Sequence, residues 1–269
     1  MLTAYITWNA NPEIFRIGTF AVRWYGVLFA LGFFIGYFIM QRFFRKEGVP
    51  LKLLDQLTTY MVVSTIIGAR LGHCLFYEPD YYLAHPLEIF KIWQGGLASH
   101  GATIAIIIGL IIYSRRNKIS FWWVIDRIGI VTALAGFFIR LGNLMNSEIF
   151  GKPTSVPWGF IYVNASDPAQ STQPRHPSQI YEALIYLLIF FILLFIYNRK
   201  NGKPKEGVLI SLFLILIFGT RFFIEFLKEP QVGFEQGMSL NMGQWLSIPF
   251  VLAGTVALYL IYRGKKLPR

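Results

Sequence analysis

Seven transmembrane helices in an all-α, polytopic membrane protein are what this sequence predicts, on three observations. Of the 269 residues, 55% are hydrophobic and only 14% are charged, and the mean hydropathy is +0.50. Apolar runs of about 20 residues, the length a helix needs to cross the hydrocarbon, recur almost end to end. The net charge of +11 is spread over short loops between those runs rather than gathered on one face. That is a pattern of membrane orientation, not of nucleic-acid binding.

The runs fall at about 20–41, 55–77, 96–113, 121–142, 178–198, 207–228 and 242–262. Assigning loops alternately to the two sides gathers Arg42, Arg45, Lys46, Lys52, Arg115, Arg116, Lys118, Arg199, Lys200, Lys203, Lys205, Arg263, Lys265, Lys266 and Arg269 on one face. The positive-inside rule makes that face cytoplasmic. The other face carries Glu13, Glu78, Asp80, Glu88, Asp167, Glu229 and Glu235 with few bases. The N-terminus is therefore expected outside and the C-terminus inside, a parity that seven spans satisfy. The first run is long enough to stay as a span, and residues 1–19 lack the basic start of a secretory signal.

A single membrane domain covering 1–269 is expected, with outer interfacial segments at about 1–19 and 78–95 and an outer head loop at about 143–177. Tyr5, Trp8, Phe15, Tyr81, Tyr82, Phe90 and Trp93 suit aromatic anchoring at the interface. Gly32 with Gly36 and Gly68 with Gly72 have the spacing of close helix packing. A lone cysteine, Cys74, excludes an internal disulfide and a cysteine zinc cluster, and reads as a small buried hydrophobe. His73, His85 and His176 are scattered without metal-ligand spacing. There is neither a nucleophile elbow nor a phosphate-binding loop, so the expected chemistry uses no metal, nucleotide or other cofactor.

With the orientation set, polar groups converge on the outer leaflet: Tyr25, Arg70, His100, Arg140, Arg221 and Glu225, drawn from five spans. The inner leaflet offers Asp126 and Arg127, read as structural and snorkelling to the cytoplasmic edge. A cation at bilayer depth costs about 2.5–3.5 kcal/mol on insertion scales, so it has a partner or a task. Arg221 and Glu225 are i,i+4 neighbours able to pair. Arg140 has no acid one turn back in its own span, which makes an anionic ligand, a lipid phosphate above all, its expected partner. Arg70, between Gly68 and Gly72, reads equally well as a bridge between helices or a functional cation. His100, flanked by glycines and set among arginines, suits a general base near neutrality.

The run Arg140-Leu141-Gly142-Asn143-Leu144-Met145-Asn146-Ser147-Glu148-Ile149-Phe150-Gly151 resembles the signature of the prolipoprotein diacylglyceryl transferases, matching it at Arg140, Gly142, Asn143, Asn146, Glu148 and Gly151. Ile139 and Leu144 stand where that signature has Gly and Phe, and Ala102 where a glycine often follows His-Gly. Trp24-Tyr25-Gly26, Gly68 to Gly72, Gly95 to Gly101, Arg175 to Glu182 and Arg221 to Phe226 look like further pieces of the same family in the same order. The resemblance covers nearly the whole chain. It implies a bacterial inner-membrane enzyme that moves the diacylglyceryl group of phosphatidylglycerol to the lipobox cysteine of a prolipoprotein, forming a thioether and releasing glycerol phosphate.

For the reaction so implied, His100 is the expected base and Arg140 and Arg221 the expected stabilisers of the departing phosphate, the three catalytic groups. Tyr25, Arg70, Asn143, Asn146, Glu148, Gly151 and Glu225 become substrate-binding or supporting ones. A phospholipid transporter or scramblase is the alternative, but a pathway needs polar residues in both leaflets. A purely structural membrane subunit leaves the outer cluster without a purpose.

Overall fold

The computed structural model describes residues 5–18, 20–92, 95–96, 98–229 and 237–264. Trp93, Glu235, Lys265, Lys266 and Arg269 lie outside them. Two compact units make up the chain: Met1–Ile39 with Asp126–Pro268, and Met40–Ile125.

Helices dominate, with bounds close to those the apolar runs predict: α1 Trp24–Lys46, α2 Leu51–Phe76, α4 Ser99–Asn117, α5 Phe121–Met145, α6 Ser178–Arg199, α7 Val208–Ile224 and α8 Met242–Tyr262. A short α3, Pro79–Ala84, follows α2. Among the described helices, six are long and apolar enough to cross a membrane, where seven were expected. The seventh, α4, opens on Ser99-His100-Gly101 and closes on Ser114-Arg115-Arg116-Asn117. Polar ends leave its apolar middle too short to qualify by composition.

The all-α expectation also needs correcting by two small sheets. β1 (Ile6–Trp8) pairs in parallel with β4 (Phe160–Tyr162), and β2 (Glu13–Ile17) pairs antiparallel with β3 (Phe20–Arg23). Three- to five-residue strands carry too few side chains for a period-two signal to stand out. The β1–β4 pair stitches the start of the chain to the loop after α5. Trp8 donates its indole N–H to the Leu144 carbonyl at 2.9 Å and packs on Phe160, so it belongs to a local core with Leu144, Phe160 and Tyr162 as well as to any interface.

In the first unit, a Cβ at Gly32 of α1 would fall 3.4 Å from the Ala135 Cα of α5, and one at Gly36 would fall 3.6 Å from the Val131 Cβ. Asp126, near the start of α5, accepts from the backbone N–H groups of Gly207 and Ile210, both at 2.8 Å, and so caps α7. Arg127 donates to the Gly202 carbonyl and lies over the Tyr197 ring. Snorkelling is corrected here: Asp126 and Arg127 are 0% and 1% exposed. A carboxylate that completes the first turn of another helix gains more from burial than from reaching water.

In the second unit, α2 packs on α4 through glycine. A Cβ at Gly72 would fall 2.7 Å from the Gly101 Cα, and one at Gly68 would fall 2.6 Å from the Gly101 carbonyl oxygen. Only backbones can approach so closely. Cys74 is fully buried, as a small apolar side chain should be.

Candidate active site

The end of α5 is where the polar side chains gather, and its backbone explains how they are held. Glu148 N–H bonds the Asn143 carbonyl and Ser147 N–H bonds the Leu144 carbonyl, with Ser147 left-handed at φ 52°. This is a Schellman closure in which serine occupies the position usually given to glycine. Ile149 follows at φ 58°, a conformation that β-branched residues rarely adopt. Strain of this kind survives only where surrounding contacts over-determine it. The first turn of α6 supplies them: Ser178 Oγ donates to the Ile149 carbonyl at 2.8 Å and Gln179 Nε2 to the Glu148 carbonyl at 2.7 Å.

Within that frame the side chains form a chain of contacts. Arg140 Nη1 donates to Asn143 Oδ1 at 3.1 Å, Asn143 Nδ2 to Glu148 Oε1 at 2.8 Å, and Asn146 Nδ2 to the same oxygen at 3.2 Å. The Tyr25 ring lies against Gly142, where a Cβ would come within 2.7 Å of it. Ser147 Oγ and Asn146 Oδ1 are buried without a hydrogen-bond partner among the described residues. Ser147, Glu148, Ile149 and Phe150 line a cavity of about 310 Å³ together with Ser166, Gln170 and Glu229.

Arg140 does have an acid, from a neighbouring helix. Glu182 Oε2 of α6 stands 2.9 Å from Arg140 Nε, a charge contact whose angle falls outside hydrogen-bond geometry. Arg140 was expected to meet an anionic ligand because its own span holds no acid one turn back; this contact adds a protein partner from another helix, which has no signature in the local sequence. The other Glu182 oxygen accepts from Lys228 Nζ at 2.9 Å. Lys228 also reaches Glu225 Oε1 at 3.1 Å, and the same oxygen is 3.3 Å from Arg221 Nε. Asn241, the N-cap of α8, donates to Glu225 Oε2 at 3.1 Å. Glu182 and Lys228 are thus central members that the motif reading did not name as site residues.

Gly151 is a packing position. Its N–H bonds the His176 carbonyl and it forms an antiparallel bridge with Lys228; a Cβ there would sit 2.6 Å from the Leu227 carbonyl oxygen. Nearby, Arg175 pairs with Glu229 at 2.8 Å and lies over Phe150. His176 Nδ1 lies 3.3 Å from the Tyr181 hydroxyl, and burial lowers the His176 pKa below the usual imidazole value.

The two remaining predicted residues belong to the second unit. Arg70, only 3% exposed, donates to the carbonyls of Glu88 at 2.6 Å, Ile89 at 2.8 Å and Gly95 at 2.7 Å, and lies over the Tyr82 ring. With its fork directed at backbone oxygens, Arg70 acts as a clamp on the segment after α3 and not as a free anion receptor. This geometry favours the bridging reading of Arg70 over the substrate-binding one. His100 sits in the first turn of α4 with an exposed ring that has no hydrogen-bond or ion-pair partner among the described residues. Tyr25, Asn143, Asn146, Glu148, Arg140, Arg221 and Glu225 are all in the first unit.

A strained, polar helix end joined to a chain of buried charges is an arrangement that can be compared with known proteins. Residues 12–260 match the family model described as prolipoprotein diacylglyceryl transferase. A protein of Tolumonas auensis named phosphatidylglycerol–prolipoprotein diacylglyceryl transferase is 49% identical, over 96% of this chain and 98% of its own. Proteins of the same name from Porphyromonas gingivalis and Chloroherpeton thalassium are 46% and 45% identical, over 99% and 96% of this chain and 97% and 94% of theirs. With agreement this long at such identity, the chain belongs to the prolipoprotein diacylglyceryl transferase family.

Proposed function

We propose that the protein, a multi-pass enzyme of the bacterial inner membrane, transfers the diacylglyceryl group of phosphatidylglycerol to the lipobox cysteine thiol of a prolipoprotein. The observation that carries this reading is the buried charge cluster at the end of α5 and α7. Arg140, Arg221 and Lys228 face Glu182 and Glu225, and Glu148 joins Arg140 through Asn143. The partly exposed guanidinium groups at the two ends, Arg140 and Arg221, are where a lipid phosphate binds.

A thiol of pKa about 8.5 is mostly protonated at neutrality, and its thiolate is the nucleophile. His100 takes the thiol proton. The sulfur then forms a bond to the glyceryl carbon as the bond from that carbon to the phosphate oxygen breaks, and glycerol phosphate departs. Negative charge grows on the departing oxygen, and Arg140 and Arg221 stabilise it with the planar donor forks that suit phosphate. Asn143, Asn146 and Glu148 offer partners to the glycerol hydroxyls, and Tyr25 orients the headgroup beside Gly142.

We read α4 as the seventh span, because its glycine seam with α2 has the form of membrane helix packing. The loop charges then put the N-terminus outside and the C-terminus in the cytoplasm, with the segments 1–19, 78–95 and 143–177 on the outer side of one membrane domain. A scramblase is not favoured: the charges at the start of α5 are closed by backbone partners and line no second half of a path.

The test is direct. Purified protein is incubated with phosphatidylglycerol and a cysteine-containing lipobox peptide, and the peptide is weighed by mass spectrometry. Gain of one diacylglyceryl mass, lost when the cysteine is replaced by serine, is the expected result. An unchanged peptide mass sinks the reading.

A further inference from the structure

We propose that Glu182 and Lys228 are positioning residues that hold the two arginines of the reaction at a fixed separation and set the charge they present. The proposal rests on the transferase reading above and extends it to two side chains sealed from solvent. The contacts alternate in sign from end to end: Arg140, Glu182, Lys228, Glu225, Arg221. The inner members are sealed, Glu182 at 0% and Lys228 at 2% side-chain exposure, whereas Arg140 and Arg221 at the ends are 15% and 32% exposed. Closed in the middle and open at both ends, the chain offers its two guanidinium groups to one ligand.

Each inner residue touches two opposite charges, so neither is an ordinary one-to-one pair. Glu182 accepts Lys228 on one oxygen and faces Arg140 with the other. Lys228 reaches Glu182 and Glu225 together. Its backbone is fixed as well, by the bridge to Gly151 and by the Lys152 N–H to Leu227 carbonyl bond at 2.7 Å. The glycine of the signature thereby lets the 226–228 segment close on the loop after α5, which carries Lys228 into the cluster. A buried charge with one partner removed is strongly unfavourable, and the surviving charges rearrange toward whatever remains.

The two residues therefore differ in what their loss does. Without Lys228, the cluster loses one positive charge and affinity for the phosphate falls. Without Glu182, the cluster is one charge more positive, so the anion still binds, but Arg140 loses the group that aims it. Misplacing a catalytic group by about 1 Å can cost about 100-fold in rate.

Steady-state transfer is measured on wild-type protein and on Lys228→Met, Lys228→Arg, Glu182→Gln and the double variant Glu182→Gln/Lys228→Met, each checked for a monodisperse, folded state in detergent. Expected are a rise of about tenfold or more in KM for phosphatidylglycerol in Lys228→Met and a fall of about 100-fold in kcat without a rise in KM in Glu182→Gln. Lys228→Arg keeps the charge and stays near wild type in KM. The double variant restores the wild-type net charge of the cluster and returns KM toward wild type while kcat stays low.

Folded single variants with wild-type kcat and KM overturn the proposal, as does a double variant whose KM is no better than that of Lys228→Met. Should Lys228→Met or Glu182→Gln fail to fold, the charge-keeping Lys228→Arg and Glu182→Asp decide: KM stays near wild type in both and kcat falls in Glu182→Asp, whereas a raised KM in either or a wild-type kcat in Glu182→Asp overturns the proposal. A wild-type protein that adds no diacylglyceryl mass sinks the transferase reading itself, which is a different result from unaffected variants of an active enzyme.

Discussion

Helix α5 buries charge at both of its ends, and the two ends are built differently. At the start, Asp126 gives both oxygens to the first turn of α7 and Arg127 is held by the Gly202 carbonyl and the Tyr197 ring. At the far end, Arg140 shares Glu182 with Lys228, the helix stops on a left-handed serine, and two buried polar atoms, Ser147 Oγ and Asn146 Oδ1, have no hydrogen-bond partner among the described residues. Full satisfaction serves folding; incomplete satisfaction, kept in place by strain, is what a binding site needs before its ligand arrives. Arg70 belongs with the first kind, since its donors end on backbone carbonyls.

The largest expected effect breaks the far end alone. Arg140→Ala reduces transfer by at least about 1000-fold, while membrane insertion stays intact; the thermal midpoint in detergent falls, because the sealed Glu182 keeps Lys228 but loses its other opposite charge. Arg140→Lys recovers little, since a point charge cannot reproduce the fork directed at both Asn143 and Glu182. Turnover by Arg140→Ala within tenfold of wild type would falsify its place in the reaction.

Next in size is the exposed histidine. His100→Gln keeps a hydrogen-bonding side chain but removes the proton acceptor, and about 100-fold loss of kcat at neutral pH is expected. If raising the pH toward the thiol pKa, about 8.5, fails to narrow the gap between variant and wild type, the thiol is not ionised through His100. The comparison then shifts, with the arginine field doing the ionising.

Much of this was legible in the sequence, for reasons that differ by element. Helix bounds followed because a lipid-facing helix must be apolar along its length, so α5 was expected at 121–142 and ends at Met145. Arg140, Asn143 and Glu148 stood out as polar residues crowded at one helix end. Glu182 sat inside a recognised stretch, but its role depends on α6 facing α5, and Lys228 lies 46 residues from it. No local pattern encodes a pairing that only the packed helices create. Arg70 teaches the converse: depth and charge marked it, yet its partners are backbone oxygens, which carry no side-chain signature. The same holds for Asp126, whose capping contacts lie on a helix that starts beyond Gly207.

Breaking the closed end should change stability and not chemistry. Asp126→Asn keeps an acceptor for the start of α7 but weakens the charged cap, which is expected to lower stability by about 1–2 kcal/mol. Turnover per folded molecule should remain within about twofold of wild type. A fall in kcat without a fall in thermal midpoint would mean that the two ends of α5 are coupled through the helix and that the contrast between them is one of degree.

The smallest effect concerns His176, held against Tyr181 after the loop that follows α5. Burial lowers its pKa in the folded protein, whereas in the unfolded chain it titrates near the ordinary value of about 6.5. The unfolded state therefore takes up the proton first as pH falls. Its contribution to stability is fully present above about pH 6.5 and is lost as pH drops through the lowered folded value. Thermal midpoints measured in detergent at about pH 7.5 and about pH 5.5 should differ by less in His176→Gln than in wild type. An identical difference in the two proteins would place the acid sensitivity on other groups, and would leave His176 as a packing residue whose charge state the fold does not feel.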